Sequence, residues 1–252
     1  MKTIDRHFIL KCTPPIIMDF DVEPPAPYLV EFALQTIKEN EMDFSHSINH
    51  FLAVRKNAQI ILDSEFSRAS VIHGLTKRLA RKIVLDAAFL HDCVDSKYMD
   101  ELEGKVKLIE CLRDNWQGNP TDLACYIWSI INIISSISFH TRVDRLKQGL
   151  EPFENNRYLT ANKIVCDADQ LDAYDPIRCI NFTKRSLRYE LDDVTKIRKI
   201  YRRSRGVLVD RILRYKDCYM NTKTGKLMAI PRHAALERFV STYYETADIL
   251  AE

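Results

Sequence analysis

The chain has 252 residues, 46% of them hydrophobic, enough to bury a sizeable core in one large domain or two small ones. Its 37 basic and 35 acidic residues leave a net charge of +2, which argues against the strong overall field of a dedicated nucleic-acid binder. Seven cysteines, at 12, 93, 111, 125, 166, 179 and 218, show no paired or CxxC spacing, unlike a disulfide framework or a zinc ribbon, and point to a reducing, cytoplasmic setting.

The opening residues lack the basic stretch and apolar core of a signal peptide. Pro14, Pro15, Pro24, Pro25 and Pro27 predict an extended arm up to about residue 27. Helical spacing of apolar residues follows at 28–39, 48–64, 67–90, 99–115, 122–137, 159–171, 175–188 and 233–247. The longest apolar run, 126–137, is too short and too broken by Ser and Asn to cross a bilayer, so no membrane partner is expected. Loops are predicted at 115–120, 145–156, within 189–204 and at 221–226, where Thr224-Gly225 is expected to turn the chain. With only six glycines, no G-x-G or P-loop pattern and no internal repeat, the expected fold is all-α. The organisation expected is an N-terminal arm and extra helix over 1–42 and one domain over 43–252.

Three segments carry chemistry. His46 and His50 stand four apart, so on one helix they share a face; alone, such a pair reads equally as packed or capping histidines. A nearly continuous apolar helix face, 85–90, runs into His91-Asp92, followed by Asp95 and Lys97. Imidazole and carboxylate groups at the edge of a core are costly unless paired, and a divalent cation is one partner that removes the cost; a cap or a salt bridge is another. Asp167, Asp169 and Asp172 emerge from the apolar Ile164-Val165-Cys166 run, and three carboxylates so close repel one another unless neutralised. Capping by Asp167 and an arginine pair at Asp172 would still leave one acid for a cation.

The order H, HD, D resembles the HD superfamily of metal-dependent phosphohydrolases, in particular its single-domain nucleotide pyrophosphohydrolase branch. The matching segments are 46–54, His91 to Lys97, Ile137-Ser138-Phe139, 167–173, and Met220-Asn221-Thr222 with Gly225-Lys226 and Arg232-His233. They cover about residues 43–245. The resemblance implies an HD-type helical bundle with His50, His91, Asp92 and Asp169 as metal ligands, Asp95 orienting or deprotonating the attacking water, and Lys97 binding phosphate. Two positions depart from the family pattern: Ala53 and Gln170 stand where arginine is usual. Arg55, Arg142, Lys163 or Arg178 are the candidate replacements, and Asp167 and Asp172 are expected to orient ligands or substrate.

The resemblance therefore implies a hydrolase for nucleotides, splitting an NTP or dNTP into the monophosphate and pyrophosphate. A nucleoside monophosphatase, a phosphodiesterase and a non-catalytic nucleotide sensor are the alternatives. One divalent ion is expected, with Mn favoured and Co, Ni, Fe, Zn or Mg compatible. The expected partner is a small nucleotide, and a homodimer stays open. The basic run 196–205 reads first as a solvated helix face and only second as a nucleic-acid contact.

Overall fold

The helical periodicity is realised in a computed structural model that describes residues 22–186 and 193–249, where every regular element is a helix or helical turn. Helix α1 (Pro27–Glu39) starts on Pro27, whose missing N–H would be unpaired in a first turn anyway. A 3-10 turn (Phe44–His46) leads into α2 (Ile48–Phe66). Then come α3 (Lys77–Leu90), α4 (Glu101–Asp114) and α5 (Pro120–Ser136), whose N-termini are capped by the side chains of Thr76, Asp100 and Asn119. The chain continues through α6 (Phe139–Lys147), α7 (Leu159–Asp172), α8 (Pro176–Ser186) and α9 (Asp193–Gly206). Two π-helical turns, Val207–Arg211 and Tyr215–Tyr219, flank a short 3-10 turn before the long closing α10 (Lys223–Ile249).

Helix α3 is the centre of the fold. From Ile83 to Leu90 every residue is buried, so this helix has no solvent face along its last two turns. It packs against α2, α5 and α7, and α2 packs in turn on α7, so the three helices that carry the candidate ligands touch pairwise. Phe51, Ile61, Phe89, Leu108, Leu112 and Ile130, contributed by α2 to α5, lie in one core with no exposure above 0%. Each such side chain contributes about 1.5–3 kcal/mol by leaving water. Helix α1, grouped by sequence with the arm, buries Leu29 and Ala33 in the same core.

Several boundaries differ from the sequence expectation. The helix expected over 67–90 begins only at Lys77, because the preceding loop contains Gly74 at φ +80°, a conformation that breaks a right-handed helix. Helix α6 was not anticipated. The turn expected at Thr224-Gly225 is instead the start of α10, which runs through Pro231; Thr222 caps it, its hydroxyl accepting from Gly225 N at 3.0 Å. Arg198, Lys199, Arg202, Arg203 and Arg205 lie exposed on α9. Residues 1–21 of the Pro-rich arm lie outside the described residues, as do 187–192. The six described cysteines are free thiols. No single helix among the described residues is long and apolar enough to cross a membrane.

Candidate metal centre

His50 enters from the first turn of α2, His91 closes the C-terminus of α3 with Asp92 directly after it, and Asp169 lies in the last turn of α7. The helix packing turns these groups onto one point. His50 Nε2 is 3.1 Å from His91 Nε2 and 3.2 Å from Asp92 Oδ2, and His91 Nε2 is 3.1 Å from the same oxygen. Asp169 Oδ1 closes the group at 3.7 Å from His50 Nε2 and 3.6 Å from His91 Nε2. A divalent ion binds such atoms at roughly 2.0–2.2 Å, which sets neighbouring ligands about 3.0–3.5 Å apart, so the spacing matches a coordination polyhedron. His50, His91 and Asp169 each present one ligand atom within 4.8 Å of the others.

The far nitrogens fix which ring atoms face inward. His50 Nδ1 lies 2.7 Å from Asp172 Oδ2, and His91 Nδ1 lies 3.0 Å from the Ala88 carbonyl oxygen. Both partners are acceptors, so each Nδ1 carries a hydrogen; His50 Nε2 then holds its ring's lone pair, and His91 Nε2 does so once that ring is deprotonated. Two lone pairs at 3.1 Å repel unless a proton or a cation stands between them. This outward tie to a carboxylate and a backbone carbonyl is the support that metal-bound histidines use.

Charge in the cluster is strongly coupled. Burial alone would push the His91 imidazolium down, but Asp92 and then Asp169 outweigh it and raise its pKa to about 10. Burial likewise pushes Asp92 and Asp169 up, yet the imidazoles hold both well below the usual carboxylate range, helped at Asp169 by Arg178. The site opens at Asp169, whose side chain is 38% exposed, whereas His50 and His91 are 1% and 2% exposed.

His46 does not share the helix of His50. It sits in the 3-10 turn before α2, because Asp43 caps that turn by accepting from Ser45 N at 2.7 Å. Its Nδ1 is within 2.7 Å of both Ser45 Oγ and the Tyr98 hydroxyl, and its Nε2 points at Asp92 from 3.7 Å. Asp95 and Lys97 follow in the turn after α3, joined at 2.7 Å. Burial would lower the Lys97 pKa, but Asp92, Asp95 and Asp169 together raise it, so its ammonium lies in the field of the cluster.

The remaining basic and acidic candidates separate. Arg55 does not reach the site: its guanidinium donates to Asp86 Oδ1 at 2.9 Å and to the Glu23 and Pro24 carbonyls, tying the arm to α2. Arg142 is buried at 3% exposure, donates to the Ile137 carbonyl and to the Gln170 amide oxygen, and lies between Phe139 and Phe153. Its charge serves the C-terminus of α5. Lys163 is six residues before Asp169 on α7, about 240° around the helix, and makes no polar contact with the cluster. Asp172 holds His50 from behind and so orients a ligand. Asp167 faces away altogether, accepting from the backbone N–H and side chains of Asn221 and Thr222 at 2.7–3.0 Å.

Of the four basic residues considered as replacements, only Arg178 reaches the cluster. Its Nη2 lies 2.9 Å from His50 Nε2, and its Nη1 is 3.4 Å from Asp172 and 3.9 Å from Asp169. The supporting ring of Asp43, Ser45 and Tyr98 was not anticipated; the Asp-x-Ser step was a turn-cap signal, but nothing local ties Tyr98 to His46. Comparison with protein-family models, with curated proteins and with solved structures returns no match.

Proposed function

We propose that the protein is a divalent-metal-dependent phosphohydrolase of HD type acting on nucleotides, releasing pyrophosphate from an NTP or dNTP. The observation that carries this reading is the pair of His Nε2 atoms 3.1 Å apart, each with its Nδ1 committed elsewhere, beside two carboxylates and an open edge. Neutral imidazole and carboxylate suit Mn, Co, Fe, Ni, Zn or Mg, with Mn favoured. Held by His50, His91, Asp92 and Asp169, the ion would acidify a water and neutralise phosphate charge.

The protein's own groups do the rest. Asp172 and the Ala88 carbonyl keep both imidazoles in the Nδ1–H tautomer. Asp95, 20% exposed in its side chain and three residues after Asp92, would take a proton from an attacking water. Lys97, half-exposed and paired with it, brings positive charge to phosphoryl oxygens. The test is a product screen: metal-stripped protein resupplied with Mn, Co, Mg or Zn against NTPs, dNTPs, NMPs and cyclic dinucleotides, with Asp92→Ala alongside. Pyrophosphate released by the native protein and lost in Asp92→Ala is the expected result. Orthophosphate alone, or an opened cyclic dinucleotide, would replace the pyrophosphohydrolase reading by a monophosphatase or a phosphodiesterase.

One observation favours a second reading, a nucleotide sensor without turnover. Arg178 already donates to the His50 Nε2 lone pair, and no arginine stands at 53 or 170. Tight nucleotide binding without product would select it.

A further inference from the structure

Two described cations face the ligand cluster, and they are held differently. Lys97 is paired with its neighbour Asp95 at 2.7 Å in the same turn. Arg178 comes from the first turn of α8, where Asp175 caps the chain by accepting from Ile177 N at 2.9 Å. Its Nε donates to the Ser45 carbonyl at 2.5 Å, so one edge of the guanidinium is anchored to the turn that also carries His46. The other edge donates to His50 Nε2 at 2.9 Å.

That second hydrogen bond matters because of the tautomer. His50 Nδ1 gives its hydrogen to Asp172, so Nε2 carries the ring's only lone pair, and this is the atom a metal requires. Arg178 and a divalent ion therefore compete for one lone pair. The competition does not expel the arginine, since the Ser45 carbonyl and the Asp172 carboxylate still hold it. A guanidinium is a planar fork of five donors, so losing one acceptor leaves a charged N–H edge at the rim of the cluster. Arg55 and Arg142 are committed to structural partners and Lys163 faces away, so no other arginine or lysine from the candidate set supplies that edge.

Resting on the metal-centre reading above, we propose that Arg178 is the phosphoryl-binding arginine of this site, and that it holds the ion's place at His50 Nε2 until an ion is bound. The ligand class is a phosphoryl anion, recognised by paired, charge-assisted hydrogen bonds. Arg178 thus stands in for the arginines that positions 53 and 170 lack.

The experiment compares the native protein with Arg178→Gln and Arg178→Lys, each stripped of metal. Each is titrated with Co(II), followed by its visible absorption, and the loaded proteins are then titrated with inorganic phosphate by calorimetry. Arg178→Gln is expected to take Co(II) about tenfold more tightly and, once loaded, to bind phosphate about tenfold more weakly, with partial recovery of phosphate binding in Arg178→Lys. Unchanged or weaker Co(II) uptake by Arg178→Gln, or unchanged phosphate affinity, overturns the proposal while leaving the metal centre standing. Failure of the native protein to take up Co(II) overturns the metal-centre reading itself. If Arg178→Gln does not fold, Arg178→Lys decides: Co(II) and phosphate affinities equal to the native ones overturn the role.

Discussion

Helices α2 and α3 hold two buried polar clusters, one five residues further along α2 and five residues back along α3 from the other. His50 and His91 belong to the candidate centre, Arg55 and Asp86 to its neighbour. At the neighbour every charge is answered: Asp86 accepts from Arg55 at 2.9 Å, from Lys82 at 2.7 Å and from the Tyr126 hydroxyl at 2.7 Å. The Arg55 guanidinium in turn finds two backbone carbonyls. At the candidate centre two imidazole Nε2 atoms and the carboxylates of Asp92 and Asp169 converge, and one side is open to solvent at Asp169. Burial does not distinguish the two, since Arg55 and His50 are 5% and 3% exposed. What distinguishes them is access: the neighbour turns its charges onto partners inside the protein, whereas the candidate centre gathers ligand-type atoms beside an opening to solvent.

The sharpest break of this comparison is Asp86→Ala. It leaves Arg55 buried without a counter-charge and the Tyr126 hydroxyl without its acceptor, so thermal or urea unfolding should lose about 3–5 kcal/mol. Metal affinity should stay near native in the fraction that folds. A loss under about 1 kcal/mol would mean that the closed cluster contributes little to holding α2, α3 and α5 together.

Gly225→Ala probes a closed contact of another kind. A Cβ there would stand 2.5 Å from Asp167 Oδ2 and 2.7 Å from Thr222 Oγ1, atoms locked in the hydrogen bonds that seat α10 on α7. The expected cost is about 1–3 kcal/mol in unfolding, with metal binding preserved because Asp167 faces away from the centre. Should metal binding fail with stability intact, Asp167 would belong to the centre after all.

At the open cluster the support can be removed without touching a ligand. Asp172→Ala deletes the acceptor 2.7 Å from His50 Nδ1 and frees the ring to change tautomer. Co(II) affinity should fall about 10- to 100-fold while the melting temperature moves little. Equal affinities would show that packing against Phe51, whose ring centroid is 5.8 Å away, suffices to orient the imidazole.

The helices and the four candidate ligands were legible for different reasons. Helical spacing of apolar residues announces α2, α3 and α7, with α3 apolar nearly all round where its last two turns leave water entirely. His91 and Asp92 stood out because an apolar run that ends in two ionisable groups is costly unless something is bound or paired. The start of α10 was hidden because Thr222 caps it with help from Asp167, 55 residues away. The same limit applied to the basic residues: Arg55, Arg142, Lys163 and Arg178 look alike in sequence, and only tertiary packing sends three of them elsewhere. Charge type can be read locally, whereas the partner of a charge is a long-range property.

The smallest expected effect concerns protons at the open cluster. In the folded chain the His91 pKa is raised from 6.5 to about 10, burial opposing and Asp92 driving the shift. A raised pKa means that the His91 ion pair supports the fold fully below the unfolded value of 6.5 and that this support fades as pH rises through about 10. Metal binding runs the opposite way, since the ion needs the nitrogen that the proton occupies. Co(II) affinity should therefore rise by about tenfold per pH unit while His91 is protonated, with about one proton released per ion bound, and level off near pH 10. Calorimetric titrations at several pH values in buffers of different ionisation enthalpy measure both quantities. A flat pH profile would mean that His91 already presents a free lone pair, and that the carboxylates beside it are neutralised by Arg178 instead.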